Sequence, residues 1–388
     1  MPVTVRSFAK INLGLGIGAL RADGFHELRT IYQTIALHDV IRMSVGRGSG
    51  IEIRCDDSRV PKDESNTCYR IVELAMAALK ARGRVVIELE KRLPVQGGLG
   101  GASGNAVACL LGLERTLQKE LFGPERLRIA AAVGSDLPLF LVGGTVLGVG
   151  RGEEVFPLPD LATIPCVVAT PDIGVSTPKA FADWDLLVAS GPQGLKPESL
   201  GAPIGTAEAV PFPANVEDLG RVETSQAAEP CSAWTGENAR PSIKKDLSKL
   251  TLHPASDRMV EFGRVLSAWL GSQSQSRHRS GRTSSGVPVS KGRGRAETPL
   301  LDLVRTGIEN DFERVVFPKY PELREVKSVL ERAGAVYASL SGSGSATYGL
   351  FVSRAAAEKA AARLRKGGIP ATATTTLTRP QYWKKIFD

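Results

Sequence analysis

The chain has 388 residues, enough for two domains, and its hydrophobic fraction of 42% and charged fraction of 23% are ordinary for a globular protein. Five scattered cysteines without a C-x-x-C pair and four widely spaced histidines argue against a disulfide framework and a Cys/His zinc cluster, and favour a reducing cytoplasm. The net charge of +8 is concentrated in Arg277, Arg279, Arg282, Lys291, Arg293 and Arg295; without these six the balance is +2, which gives no reason to expect nucleic acid as a partner.

Val3 to Gly18 alternates as a strand running into glycines. Its apolar part, Ile11–Leu20, is far shorter than the roughly 20 residues of a membrane span. Asn12, Gly14, Gly16 and Gly18 also break the leucine-dense core that a secretory leader would need. Ala22-Asp23-Gly24 is a turn signal, so a return strand is expected through Tyr32–Ile35, followed by strands at Val40–Val45 and Ile51–Cys55. Asn66 should start a helix, with Cys68, Ile71, Leu74, Ala75, Ala78 and Leu79 on one face and Gly83 as its stop. Val85–Leu89 reads as a strand, Pro94 opens a glycine-rich loop, and helices are expected at Ala106–Leu117 and Leu127–Val133. Thr145–Val149 and Cys166–Thr170 are further strands.

The last third gives a helix at Pro321–Ala333, a strand at Val336–Leu340 and a glycine-serine turn at Ser341–Ser345. A strand at Thr347–Val352, a helix at Ala355–Leu364 and a strand at Ala371–Thr376 follow. Helices and antiparallel strands in this order imply an α+β class. Residues 190–297 have little periodicity beyond a short helix expected within 245–270, and 271–297 are rich in Ser, Arg and Gly. The expected organisation is therefore an N-terminal domain at 1–187, a largely flexible insertion at 190–297 and a C-terminal domain at 298–388.

Four segments could carry chemistry. The first runs Pro94-Val95-Gln96-Gly97-Gly98-Leu99-Gly100-Gly101-Ala102-Ser103-Gly104 between a strand and a helix. Glycines allow a backbone to approach a polyphosphate closely, and a helix N-terminus adds partial positive charge. No G-K-[ST] follows, so it is not a Walker loop; a tight strand-to-helix turn would use the same residues. Lys10, on the first strand, is by itself more typical of a solvated edge. Asp136, in Gly134-Ser135-Asp136-Leu137-Pro138, either caps a turn or is held for use. Ser341-Gly342-Ser343-Gly344-Ser345 would suit many hairpins.

Taken together and in this order, the segments resemble the GHMP kinase superfamily of small-molecule kinases. The finer motifs are Ala9-Lys10-Ile11-Asn12-Leu13, Asp23-Gly24-Phe25-His26-Glu27-Leu28, Lys91-Arg92-Leu93-Pro94 and Gly150-Arg151-Gly152-Glu153. To these are added Val175-Ser176-Thr177 with Phe181, and Asn310-Asp311-Phe312-Glu313. They are similar to the branch that phosphorylates the 2-hydroxyl of a cytidine diphosphate-linked methylerythritol in non-mevalonate isoprenoid synthesis. The resemblance covers about 3–187 and 300–377. It implies a two-domain fold, with a β-rich N-terminal α/β domain and a C-terminal domain of antiparallel sheet and helices.

The resemblance also implies roles. Asp136 would accept the proton of the substrate hydroxyl, with Lys10 beside it. The glycine loop would hold the phosphates of ATP, with Mg2+ between them and its ligands unassigned. Asn66 and Lys91 would lie near the adenosine. Phe25 and Phe181 would sandwich the cytosine, His26 would bond its edge, and Asn12 and Thr177 would line the substrate site. The expected partner is a small molecule, with no membrane and no nucleic acid, and the protein a monomer or homodimer in the cytoplasm. A homoserine- or mevalonate-type kinase and, further off, a non-catalytic interaction protein are the alternatives. The chain departs from the family pattern at Gly104 and Asn105, where a hydroxyl and an acid are usual, at Gln96, where a glycine is common, and at Phe25, where tyrosine is frequent.

Overall fold

The computed structural model describes residues 2–95, 97–190 and 309–387, all within one compact unit. The class is α+β. Two long antiparallel strands, β1 (Val3–Leu20) and β2 (His26–Gly46), form its spine. The strands expected separately around Tyr32–Ile35 and Val40–Val45 are one continuous β2: the ladder with β1 slips at Ala36-Leu37, opposite Phe8 and Ala9, and pairing continues on both sides of that bulge. β2 also pairs with β4 (Arg84–Glu90) and β5 (Thr145–Val149). β3 (Ile51–Arg54) adds in parallel to β4, and β6 (Glu154–Pro157) adds to β5.

On this sheet lie α1 (Thr67–Ala78) and α2 (Gly101–Leu117), with α3 (Gly123–Val133) and α4 (Leu137–Val142) beside them. Their buried faces, among them Ile71, Ala75, Leu110 and Leu113, join Met43, Ile53 and Ile87 of the sheet in one core. α1 ends at Ala78, ahead of the expected stop at Gly83, where Lys80 already takes a positive φ of 48°. α2 begins five residues earlier than expected, so Gly101-Ala102-Ser103-Gly104 form its first turn rather than loop. Two glycines in four residues hid that start, since glycine is a poor helix former.

A second sheet has the order β10-β7-β9-β8 and is antiparallel throughout. Its strands are β7 (Pro165–Ala169), β8 (Tyr337–Leu340), β9 (Thr347–Leu350) and β10 (Ala371–Thr375). β7 thus carries the first half of the chain into a sheet otherwise built from the last third. α5 (Thr177–Ala189), α6 (Glu313–Lys319), α7 (Pro321–Arg332), α8 (Arg354–Lys366) and α9 (Arg379–Lys385) complete the described elements. Of these, α5, α6, α9 and also α4 and β6 were not expected; three of the four helices have six or seven residues, too few for a periodic pattern. The helix expected within 245–270 and the insertion at 190–297 lie outside the described residues, save residue 190. Among the described residues no helix is long and apolar enough to cross a membrane.

One face of the β1–β2 ribbon packs on the second sheet, through Ile11, Leu13, Ile31 and Ile35 against Val168, Tyr348 and Leu350. The pairing of β1 with β2 slips between Asn12 and Gly14. Such a bulge turns backbone groups out of the ladder. Phenols of the second sheet bond to it: Tyr348 Oη donates to the Asn12 carbonyl at 2.7 Å and Tyr337 Oη to that of Leu13 at 3.1 Å.

The Asn310-Asp311-Phe312-Glu313 stretch locks the Ser341–Ser345 turn. Asn310 Nδ2 donates to the carbonyls of Leu340 and Gly342 at 2.9 and 2.8 Å. One Glu313 oxygen accepts from the Leu340 amide and Ser339 Oγ at 2.9 and 2.8 Å, and the other from Lys327 Nζ at 2.6 Å. Glu313→Ala leaves a buried amide and hydroxyl without their acceptor. We expect it to destabilise the fold by about 2–3 kcal/mol, read as a fall in Tm of several degrees by differential scanning calorimetry; an unchanged Tm would remove the lock.

Candidate active site

Three segments distant in sequence converge on the glycine loop. The Leu99 carbonyl accepts from the Lys10 amide of β1 at 2.9 Å. From the other side, the Ala346 amide donates to the Gly97 carbonyl at 3.1 Å and Ser341 Oγ to that of Gly98 at 3.0 Å. Gly98 and Gly100 have φ of +72° and +69°, which L side chains rarely adopt. A Cβ at Gly98 would stand 2.1 Å from the Ser341 carbonyl oxygen, and one at Gly100 would stand 2.9 Å from Lys10 Cγ and 3.0 Å from Phe140.

α2 starts here with no side-chain cap and no acid in its first turn. Its opening amides therefore point, with the helix dipole behind them, at the space in front of the loop, an arrangement suited to an anion. That space is a cleft of about 420 Å³. Its walls include Arg59, Val60, Pro61, Asn66, Lys91 and Leu89 in addition to Pro94, Val95 and Gly97–Ser103. Gln96 lies outside the described residues.

Asn66 and Lys91 both line the cleft, but each is already engaged. Asn66 caps α1: its Oδ1 accepts from the Cys68 amide at 2.8 Å and its Nδ2 donates to Pro61 O at 2.6 Å. Lys91 Nζ lies 2.5 Å from Asp39 Oδ2. The other Asp39 oxygen accepts the amides of Arg92 and Leu93, both at 2.7 Å. Asp39, fully buried on β2, thus fixes the chain that feeds the loop, a role sequence reasoning did not find.

The departures at 104 and 105 have distinct structural settings. A Cβ on Gly104 would come within 2.9 Å of the Phe8 carbonyl and 3.0 Å of Ser7 Oγ, so α2 packs here directly on the backbone of β1. Asn105 is buried at the cleft wall, and its Oδ1 makes no hydrogen bond among the described residues.

At the loop's inner end lies the pair Lys10 and Asp136. Lys10 Nζ is 3.4 Å from Asp136 Oδ2, with the lysine side chain 4% exposed and the aspartate 33%. The lysine is held by Asn12, whose Oδ1 accepts from Nζ at 2.7 Å. Asn12 Nδ2 donates to Thr30 Oγ1 at 2.8 Å, and Thr30 to the Gly14 carbonyl at 2.8 Å. Gly342 closes over the group, its missing Cβ 3.4 Å from Lys10 Nζ. Asp136 immediately precedes α4, and its Oδ1 accepts from Tyr32 Oη at 3.0 Å. Sequence reasoning missed Thr30 and Tyr32. The available signal was the alternation Thr30, Tyr32, Thr34 on the strand that pairs Tyr32 with Asn12 and Thr34 with Lys10.

The residues expected to hold a base are less closely gathered. Phe181 stacks on His26, with ring centroids 4.9 Å apart and planes 9° from parallel, and meets Phe312 edge-on. His26 Nε2 lies 2.7 Å from Asp185 Oδ1. Phe25 is exposed and sits instead under the Arg151 guanidinium at 5.0 Å. The structure therefore brings His26 and Phe181 together, while Phe25 contacts Arg151 rather than Phe181. Thr177, at the start of α5, shares a 2.7 Å hydrogen bond with Ser343 Oγ, which ties the helix bearing Phe181 to the Ser341–Ser345 turn.

Residues 66–144 match the family model of the GHMP kinases N terminal domain, and 297–369 match that of the GHMP kinases C terminal domain. The 4-diphosphocytidyl-2-C-methyl-D-erythritol kinase of Rhodococcus jostii (strain RHA1) is 34% identical over 271 residues, which covers 70% of this chain and 80% of the relative. That of Solibacter usitatus (strain Ellin6076) is 31% identical over 350 residues, 90% and 81% respectively. A crystal structure of 4-(cytidine 5'-diphospho)-2C-methyl-D-erythritol kinase superposes with a TM-score of 0.59 at 25% identity, over 96% of this chain and 98% of that one. The homoserine kinase of Cytophaga hutchinsonii ATCC 33406 gives the same TM-score at 18% identity, over 97% and 95%, and so shares the fold. On the strength of the Rhodococcus and Solibacter relatives, the chain belongs to the 4-diphosphocytidyl-2-C-methyl-D-erythritol kinases, within the GHMP kinases.

Proposed function

We infer that the protein transfers the γ-phosphoryl group of ATP to the 2-hydroxyl of 4-diphosphocytidyl-2-C-methyl-D-erythritol, a step of non-mevalonate isoprenoid precursor synthesis. The observation that carries the chemical part is the 3.4 Å approach of Lys10 Nζ to Asp136 Oδ2 at the inner end of the glycine loop. A carboxylate there can take the proton of an attacking hydroxyl, and an ammonium beside it stabilises the negative charge that develops on the oxygen. Lys10 Nζ has three protons and spends one on Asn12; the others can face Asp136 and the reacting oxygens.

The triphosphate would lie along Gly97–Ser103, on the uncapped amides of α2, with the adenosine toward Asn66 and the wall at Arg59–Pro61. Lys91 would serve mainly through its buried pair with Asp39, holding the approach to the loop. Magnesium would be held here mainly by phosphate oxygens, since it commonly uses few protein ligands when phosphates are present. Ser103, at the cleft wall, would offer a hydroxyl oxygen to it. The bound ion would offset phosphate charge during transfer.

The cytosine end rests on Phe181, His26 and Phe25. A base stacked between Phe25 and Phe181 would take the place that the His26 ring now holds over Phe181, freeing the imidazole to bond the base edge. Thr177 and Asn12 would line the path between base and hydroxyl. The same reading takes 1–187 and 298–388 as the two halves of the kinase and 190–297 as an insertion, which the matched segments at 66–144 and 297–369 support.

Asp136→Asn should fold, bind ATP and lose kcat by about 10²–10⁴-fold, the range for a general base; near-normal turnover in a coupled ADP-release assay rejects the role. Phe181→Ala should raise KM for the cytidyl substrate by about 10–100-fold, as expected for a lost base stack, with KM for ATP nearly constant; equal rises for both would remove the base clamp. ATP consumption should be fastest with 4-diphosphocytidyl-2-C-methyl-D-erythritol in a panel that also holds mevalonate, phosphomevalonate and homoserine. A preference for any of the other three would overturn the substrate assignment.

A further inference from the structure

Tyr32 is an unassigned residue in direct contact with the carboxylate. Its hydroxyl donates to Asp136 Oδ1 at 3.0 Å, while Lys10 stands 3.4 Å from Oδ2. We propose that Tyr32 is a positioning residue for phosphoryl transfer: by occupying Oδ1 it fixes the rotation of the Asp136 carboxylate and leaves Oδ2, on the lysine side, as the oxygen that takes the substrate proton. The proposal rests on Asp136 being the general base.

The surroundings hold Tyr32 in one place. The residue is 2% exposed, and two glycines make room for it. A Cβ at Gly148 would lie 2.5 Å from Tyr32 Cε2, and one at Gly152, where φ is +100°, would lie 2.5 Å from Tyr32 Oη. The Gly150-Arg151-Gly152-Glu153 motif is thereby explained at Gly152, the point where the chain passes the hydroxyl. Across from the ring, Lys10 Nζ lies 5.7 Å from its centroid, so ammonium, ring and carboxylate form a closed triangle.

Toward the Asp136 carboxylate the phenol is the donor. Burial, and then the neighbouring Asp136 charge, push it well above the ordinary tyrosine range, so the hydroxyl keeps its proton at neutral pH. The charged groups around the pair are Lys10 from β1 and, from the turn between β5 and β6, Glu153 with its partner Arg151 at 3.0 Å. α4 and the Ser341–Ser345 turn contribute no ionisable side chain. A hydrogen bond donated to a carboxylate favours its ionised form. Removing the donor must therefore move the acid limb of the rate profile to higher pH, and strengthening it must move the limb lower.

The test uses the full chain with three replacements. Tyr32→Phe should lower kcat by about tenfold, leave both KM values within about twofold, and shift the acid limb of log kcat upward by roughly half to one pH unit. Replacing Tyr32 with 3-fluorotyrosine, a more acidic donor of nearly the same shape, should shift the limb downward; this keeps the test informative if Tyr32→Phe folds poorly. Unmoved limbs in both would overturn the proposal, as would a rise in KM with kcat unchanged, which would make Tyr32 a substrate contact only. Asp136→Asn separates the two levels. If it abolishes turnover while both Tyr32 variants match wild type, the positioning role alone fails. If it remains active, the base assignment fails and the role of Tyr32 with it.

Discussion

The absence of side chains at Gly98 and Gly100 is the constraint on which the site is built. At these two residues the loop passes between β1 and the Ser341–Ser345 turn with no space for even a methyl group. Because the loop touches both, its backbone position is set by strands that belong to different sheets. The opening amides of α2 and the ammonium of Lys10 are then placed by the same contact. On the proposed reading, an anion cradle and a charge beside the reacting oxygen would both follow from one piece of backbone packing.

The ribbon of β1 and β2 carries the rest of the polar machinery. Lys10 and Asn12 on one strand face Thr34 and Tyr32 on the other, and the bulge after Asn12 is tied off by phenols from the second sheet. Lys10, Asn12 and Thr30 are all buried, so their hydrogen bonds fix geometry rather than merely decorating a surface. Asp136 arrives from a short turn before α4 with its side chain one-third exposed, as the proposed role of meeting a substrate hydroxyl would require. The rigid part of the site is thus the strand pair, and the accessible part is the carboxylate.

Much of this was legible in the sequence, and the gaps have physical causes. Alternation revealed β1, and the chain order of the lysine strand, glycine loop, Asp136 and late Gly-Ser turn carried the family resemblance. α2 was read as starting too late because glycines, chosen for close approach, look like loop. Tyr32 is legible only as part of a return strand, since a period-2 pattern says which side a residue faces but not what it meets across 104 positions of chain. Lys91 near the nucleotide is implied by the resemblance alone, and its pairing with Asp39 is not implied at all, because the two are joined only by the register of β2 against β4. Phe25 and Phe181 came from resemblance alone; the arrangement of His26 on Phe181 depends on the placement of α5, for which the sequence offered no periodic signal.

The packing at Gly104 limits what position 104 can hold. There α2 rests directly on the Phe8 carbonyl and on Ser7. Any side chain at 104 would put its Cβ 2.9 Å from that carbonyl and wedge the helix away from the strand that carries Lys10. An exchange at 104 therefore demands a matching retreat of β1, so helix and strand can be redesigned only as a pair.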